Sequence, residues 1–279
     1  MQPTPFNRNL ARVYLFLVPF IGSALAFIIG HVSYKIYLPV WIINILLMIC
    51  ASWVLGLRQI RSGDAEKKQL LMGAFFLIIP FMLLSMFAGL GPPPETAEEW
   101  IRTATEQQVR YFMLVIAGIF VAFAFVILNG LMKINGEKFF SALSKTSIII
   151  AIPLFIINML FWGFYLPELF SIQVLSATGK LPEWSLPVRK LFGLVSVVEV
   201  ALTYLATAFF AISLNKNGWL NKTGSRIYVV LSLVGFLLIM LAAFLPGPVQ
   251  EIGNIVSIPA FPLLMPYFIG IGLLHKTGN

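Results

Sequence analysis

Long apolar runs alternate with short polar connections along the whole chain. Eight runs approach or reach the roughly 20 residues, with a range of about 17–25, that an α-helix needs to cross a bilayer core. They cover residues 13–30, 38–57, 70–90, 111–132, 147–166, 191–214, 227–245 and 252–274. None shows the ten-residue alternation of a barrel strand, and backbone groups in lipid must be satisfied within their own segment. The pattern predicts an all-α polytopic membrane protein, with eight transmembrane helices in a single domain over residues 1–279.

Composition supports this interpretation and excludes several classes of protein. Hydrophobic residues make up 59% of the 279 positions and charged residues 11%, with a mean hydropathy of +0.92. Soluble domains carry about 25% charged residues, so the expected solvent is lipid. A cytosolic enzyme and a disordered chain are therefore excluded, and one cysteine, Cys50, cannot form a disulfide scaffold. The lipid bilayer is the first expected partner.

Basic residues are distributed unequally between the two sides of the predicted bundle. The termini and the even-numbered connections hold 13 of the 19 Lys and Arg residues, and the opposite connections hold the other six beside seven Glu residues. Because cytoplasmic loops are enriched in Lys and Arg, we expect both termini inside and a cytoplasmic (inner) membrane location. The same distribution accounts for the net charge of +8, so no nucleic-acid partner is expected.

The two halves of the chain, 1–140 and 141–279, each contain four of the apolar runs. The third run ends at Gly91-Pro92, and the seventh ends at Pro246-Gly247, displaced by 155 residues. One interpretation is a parallel four-plus-four helix repeat, with ligands bound near the interface of the halves. The other is that similar Pro and Gly residues follow two helices by coincidence, because apolar helices resemble one another in composition.

Glu199 is the main candidate functional residue. It lies nine residues after Lys190, or about 13 Å along a helix, which places it near the bilayer midplane. A carboxylate at that depth is costly unless it is protonated, paired or hydrated. One interpretation is a midplane site for a proton, a cation or the polar head of a ligand. The other is a protonated side chain that hydrogen-bonds to a neighbouring helix as a packing device.

Other polar residues are expected near the same site. Ser196, Thr203 and Thr207 share one helix face with Glu199, and the 155-residue displacement maps Glu199 onto Asn44. Asn158 and Asn129 are candidate hydrogen-bond partners, although each also fits a simple contact between helices. The predicted ligand- or ion-binding set is Glu199, Ser196, Thr203, Thr207, Asn44 and Asn158.

Local signals predict irregular structure in three places. Three prolines in the eighth run, Pro259, Pro262 and Pro266, predict a bent or discontinuous helix. Thr96 and Glu99 fit a capping box, which predicts that the fourth helix begins near residue 97. Apolar residues at helical spacing predict a short surface helix in the connection 167–190.

Metal and cofactor chemistry lacks candidate ligands. His31 and His275 are predicted at opposite ends of the bundle, and the only aspartate, Asp64, lies in a connection. A zinc or haem site cannot use both histidines across that distance. We therefore expect neither a metal nor a cofactor.

Three functions fit these observations. The first is a small carrier or ligand-binding protein that uses Glu199 as a proton or cation site. The second is a non-catalytic accessory subunit that packs against another membrane protein through its many Phe side chains. The third is an intramembrane lipid-modifying enzyme with Glu199 as general acid or base, for which no second catalytic group is evident.

Overall fold

The computed structural model describes residues 5–61, 64–175 and 180–277, and every regular element within these ranges is a helix. In chain order the elements are α1 (Pro5–Ile28), α2 (Tyr34–Arg61), α3 (Ala65–Leu84), α4 (Phe87–Leu90), α5 (Ala97–Arg102), α6 (Ala104–Ile134), α7 (Phe139–Leu160), a π-helical turn (Phe161–Tyr165), α8 (Leu166–Leu175), α9 (Ser185–Lys216), α10 (Lys222–Ala242), α11 (Pro248–Ser257) and α12 (Ala260–Thr277). The predicted all-α class is confirmed.

The described helices form seven or eight candidate membrane spans. Seven stretches are long and apolar enough to cross a membrane, and the bent pair α11 and α12 provides an eighth if it counts as one span. α3 and α4 belong to one stretch, and α7, the π-helical turn and α8 belong to another. Each stretch overlaps one of the predicted apolar runs. These findings support a multi-pass membrane protein.

Most of the helices pack in a row. α12 contacts α3, α3 contacts α6, α6 contacts α7, α7 contacts α9, and α9 contacts α10. α1 and α2 contact each other and lie at the edge of the bundle. Only 22% of the residues in the apolar part of each helix are buried, compared with 67% for the α3–α4 stretch. In a bilayer the uncovered apolar faces contact lipid chains. The interface between α7 and α9 lies inside this row, between α6 and α10.

The third span is interrupted between α3 and α4, and side chains of α2 satisfy the carbonyls at the interruption. Tyr37 Oη donates to the Ser85 carbonyl oxygen at 2.9 Å, and Trp41 Nε1 donates to the Met82 carbonyl oxygen at 3.1 Å. Pro80 lies within α3, five residues before the interruption. These hydrogen bonds matter because lipid offers no donors to an exposed carbonyl.

Arg110 of α6 holds the end of α4. Its Nη2 donates to the carbonyl oxygens of Leu90 and Gly91, each at 2.9 Å, and its side chain is 4% exposed. A cation at a helix C-terminus is favoured by the helix dipole and by the unpaired carbonyls there. Gly91 has a φ of 66°, and a Cβ at this position would lie 3.0 Å from the Gly30 backbone. The turn after α4 therefore needs glycine.

The predicted helix start near residue 97 is confirmed, but the helix is not continuous with the fourth span. α5 begins at Ala97, and Thr96 Oγ1 accepts a hydrogen bond from the Glu99 amide at 3.3 Å. The chain is interrupted at Thr103, and the spanning helix α6 begins one residue later. The helix expected in the connection 167–190 is present as α8, which continues from α7 rather than standing alone.

The segment predicted as the eighth span is bent, as its prolines predicted. α11 and α12 meet at an angle of 48°, with Ile258 and Pro259 between them. Proline removes one backbone donor and disfavours helical geometry in the residue before it. Ile258 accordingly has an extended backbone, with ψ at 127°. Pro266 lies within α12.

Candidate functional site at Glu199

Glu199 is enclosed between α9 and α7. Its side chain is 2% exposed, and its Oε1 accepts a hydrogen bond from Asn158 Nδ2 at 2.9 Å. Asn158 Oδ1 in turn accepts from Trp162 Nε1 at 3.0 Å. A chain of three polar side chains therefore runs from the π-helical turn through α7 to the carboxyl group on α9.

The second carboxyl oxygen of Glu199 has no such partner. Oε2 is buried, and no residue in the described part of the chain hydrogen-bonds to it. Buried polar atoms are almost always hydrogen-bonded, so an exception needs an explanation. An ionised carboxylate with one amide donor is poorly compensated in an apolar interior. The arrangement suits a carboxyl group that holds a proton or a cation on Oε2.

The π-helical turn lies next to this group. Asn158 is in the last turn of α7, and Trp162 is in the π-helical turn itself. Short π segments within α-helices are uncommon and occur frequently at functional sites. Gly163 in this turn packs so closely on α6 that a Cβ there would lie 2.5 Å from Tyr111 Cβ. The sequence analysis did not predict the turn, because its apolar periodicity differs little from that of an α-helix.

The hydroxyl groups on the Glu199 face are engaged with the backbone of their own helix. Thr203 Oγ1 donates to the Glu199 carbonyl oxygen at 2.8 Å, and Thr207 Oγ1 donates to the Thr203 carbonyl oxygen at 2.9 Å. Both threonines are buried, and Ser196 is half-buried about one turn before Glu199. The structure places all three on α9 near Glu199, but their described hydrogen bonds do not reach its carboxyl group.

Asn44 and Asn129 have partners elsewhere. Asn44, half-buried on α2, accepts from Tyr14 Oη of α1 at 2.8 Å. Asn129 of α6 donates to the Phe125 carbonyl oxygen at 2.8 Å and to Ser144 Oγ of α7 at 3.2 Å. The described hydrogen bonds therefore join Asn158, and neither of the other two, to Glu199.

A second buried carboxyl group, Glu137, was missed by the sequence analysis. Its Oε2 accepts from Ser213 Oγ at 2.6 Å and from the Ser141 amide at 2.8 Å, and its Oε1 accepts from the Phe140 amide at 3.0 Å. Burial raises the pKa of Glu137, but these three hydrogen bonds and the nearby Lys216 charge outweigh burial and lower it overall. Its position two residues before α7 was the available signal, since acidic residues stabilise helix N-termini.

The described residues contain no group of three or more His, Cys, Asp or Glu side chains able to hold a metal ion. His31 Nε2 lies 2.7 Å from Glu106 Oε2, which joins the α1–α2 connection to α6. The side chain of His275 lies outside the described part of the structure.

Comparison with protein-family models, with curated proteins and with solved structures gave no match. Function therefore has to be inferred from the residues of this chain.

Proposed function

We propose that the protein is a small membrane carrier or ligand-binding protein in which Glu199 holds an exchangeable proton or cation. The observation that supports this proposal is the buried, unpartnered Oε2 beside an Oε1 that Asn158 holds in place. Intramembrane ionisable residues commonly mark proton and ion pathways. A residue kept only for packing gains nothing from an oxygen that no neighbour satisfies.

The same proposal includes a cytoplasmic membrane with both termini inside, which the distribution of basic residues favours. It also includes the four-plus-four repeat. Gly91 and Gly247 each adopt a positive φ, 66° and 84°, beside the proline that follows each of them. Both glycines lie between a third and a fourth span of their half, so the turn chemistry of the two halves is alike.

The test is difference infrared spectroscopy of the purified protein between pH 5 and 9, comparing wild type with Glu199→Gln. We expect a protonated-carboxyl band that loses intensity as the pH rises and is missing from the variant. Glu251→Gln, an exposed glutamate on α11, is the matched control and should leave the band unchanged. A Glu199 band that stays constant over the whole range would overturn the exchangeable proton, and an absence of cation binding as well would leave a packing role.

A second candidate function is an accessory subunit of a membrane complex. The observation that favours it is the low burial of α1, α2 and α10, since 22% of the residues in the apolar part of each helix are buried. Cys50, exposed on α2, offers a site for a bifunctional cross-linker in native membranes. A stoichiometric membrane-protein adduct at Cys50 would support this function, and a monomer that titrates at Glu199 would count against it.

An intramembrane lipid-modifying enzyme is a third candidate function. The hydrogen-bond partner of Glu199 is the side-chain amide of Asn158, which does not exchange protons and so does not supply the second catalytic group.

A further inference from the structure

We propose that the ligand of the Glu199 site is a lipophilic organic cation, which reaches the carboxyl group along a track of aromatic rings that begins at Trp184. This inference rests on the proposed function and adds the chemical class of the ligand. Its basis is a continuous series of ring contacts between the exposed end of the bundle and the residues around Glu199. We call these five side chains the aromatic track: Trp184, Tyr165, Phe161, Phe192 and Trp162.

The rings of the aromatic track contact one another in sequence. Trp184, which is 50% exposed, meets the Tyr165 ring edge-on with centroids 6.3 Å apart. Tyr165 stacks on Phe161 at 5.1 Å, and Phe161 stacks on Phe192 at 4.0 Å with an interplanar angle of 6°. Trp162 meets Phe161 edge-on at 5.9 Å. A series of packed aromatic rings therefore extends from Trp184 at the start of α9 to Trp162 beside Asn158, and Phe161 within it is buried.

The inner end of the aromatic track is coupled to the carboxyl group in two ways. Trp162 donates to Asn158, which donates to Glu199 Oε1. Phe192 precedes Glu199 by seven residues on α9, so the two lie on one face about 10 Å apart along the helix axis. The track therefore ends at Asn158, the hydrogen-bond partner of Glu199 Oε1.

This combination selects a weakly hydrated organic cation. The faces of Trp, Tyr and Phe attract cations and are the usual recognition surface for quaternary ammonium groups. The carboxylate of Glu199 supplies the opposite charge. A small inorganic cation is a poorer fit, because Ca²⁺, for example, takes 6–8 oxygen ligands, whereas Glu199 offers a single unpartnered oxygen.

Charged residues at the outer end of the aromatic track do not explain why the site selects a cation. Exposed residues of both signs lie near Trp184: Glu168, Glu183, Arg189 and Lys190. Selection therefore depends on the rings and on the carboxyl group. Phe161 and Phe192 are stacked face to face, so a cation that passes between them requires the π-helical turn, which holds Phe161, Trp162 and Tyr165, to rearrange.

The test measures saturable binding of radiolabelled tetraphenylphosphonium to the purified full-length protein in lipid nanodiscs, with empty nanodiscs as background. Tetraphenylborate, of the same shape and opposite charge, is the control ligand. We expect Glu199→Gln to weaken tetraphenylphosphonium binding by at least about tenfold, and Phe192→Leu to weaken it by about threefold to thirtyfold. Phe192→Tyr, which keeps the ring, should restore binding. Phe244→Leu, at an exposed ring after α10, should leave binding unchanged.

The results separate this inference from the proposed function. Absence of saturable binding, equal binding of tetraphenylborate, or binding unaffected by both Glu199→Gln and Phe192→Leu would overturn the organic-cation assignment. If the Glu199 carboxyl band still titrates in that case, the proposed proton or cation site stands with another ligand. If tetraphenylphosphonium binds through Glu199 and Phe192 while the band does not titrate, cation binding stands without proton exchange. Thermal unfolding of each variant shows whether a loss of binding reflects a loss of fold.

Discussion

At the scale of single residues, the two carboxyl groups that are buried among the described residues have contrasting surroundings. Glu137 accepts hydrogen bonds from one hydroxyl group and two backbone amides at the start of α7. Glu199 accepts one hydrogen bond from an amide side chain and leaves its other oxygen unpartnered among the described residues. The first arrangement stabilises a permanent carboxylate, whereas the second suits a group that exchanges its ligand.

Replacement of Glu137 by Gln should therefore reduce stability in a pH-dependent way. We expect the free energy of unfolding to fall by about 1–3 kcal/mol at neutral pH, because amide groups of α7 and the Ser213 hydroxyl lose a charged acceptor. The folded-state pKa of Glu137 is lowered from its ordinary value of 4.5. Its contribution is therefore complete above about that value and disappears as the pH falls through the lower, folded-state pKa.

Thermal unfolding in detergent between pH 3 and 7 measures this effect. The difference in melting temperature between wild type and Glu137→Gln should be constant near neutral pH and should become smaller under acid conditions. Glu183→Gln, at an exposed glutamate in a turn, is the control and should track the wild type throughout. A difference in melting temperature that is independent of pH would show that the charge of Glu137 contributes nothing to stability.

The site residues around Glu199 were predicted from their depth in the membrane. Depth alone does not show which side chains are in contact. The count from Lys190 identified Glu199 as a deep residue, and the structure buries it and pairs it with Asn158. Asn44 was chosen by a displacement along the sequence, which carries no information on which helices touch. Its hydrogen bond to Tyr14 depends on the packing of α2 on α1, which hydropathy does not reveal.

At the scale of helices, irregularities were predictable where one residue causes them. Pro259 predicted the bend between α11 and α12, because proline acts on its own helix. The interruption after α3 accepts hydrogen bonds from Tyr37 and Trp41 of another helix, and Gly163 of the π-helical turn packs closely against Tyr111. Tertiary contacts of this kind cannot be read from the apolar pattern of one segment.

The contact between α12 and α3 offers a matched pair of glycine substitutions. A Cβ at Gly270 would lie 2.9 Å from the Ala74 carbonyl oxygen and 3.0 Å from Leu77 Cβ, whereas a Cβ at Gly272 meets nothing within 4 Å. We expect Gly270→Ala to lower the free energy of unfolding by about 1–3 kcal/mol, because backbone must move. Gly272→Ala should change it little.

Unfolding of the two variants by heat in the same detergent provides the comparison. Equal melting temperatures for Gly270→Ala and Gly272→Ala would contradict the close approach of α12 to α3. A lower melting temperature for Gly270→Ala alone would support it.

At the scale of the whole molecule, the bend in the last span decides the topology. Eight crossings put both termini on the same side of the membrane, and seven put them on opposite sides. We expect both on the cytoplasmic side, because most Lys and Arg residues lie in the termini and the even-numbered connections. Reporter fusions at each terminus, active on only one side of the membrane, measure this directly.

A C-terminal reporter on the side opposite to the N-terminal one would show that α11 and α12 enter and leave through the same face. Fusions truncated after α10 serve as the control, since seven crossings place that end on the opposite side. The eight apolar runs were predictable because lipid demands about 20 apolar residues per crossing. The order in which the helices pack was not, since several helix faces are apolar and equally suited to lipid or protein.

The interruption between α3 and α4 also sets a condition on how the nascent chain enters the bilayer. The carbonyl oxygens of Met82 and Ser85 find donors on Trp41 and Tyr37, which belong to the span synthesised just before. A third span released alone would present the Ser85 oxygen to hydrocarbon, where no donor exists, whereas the Met82 oxygen also accepts from Ser85 Oγ of its own span at 2.7 Å. We therefore expect α2 and the α3–α4 span to leave the insertion machinery together, as a preassembled hairpin.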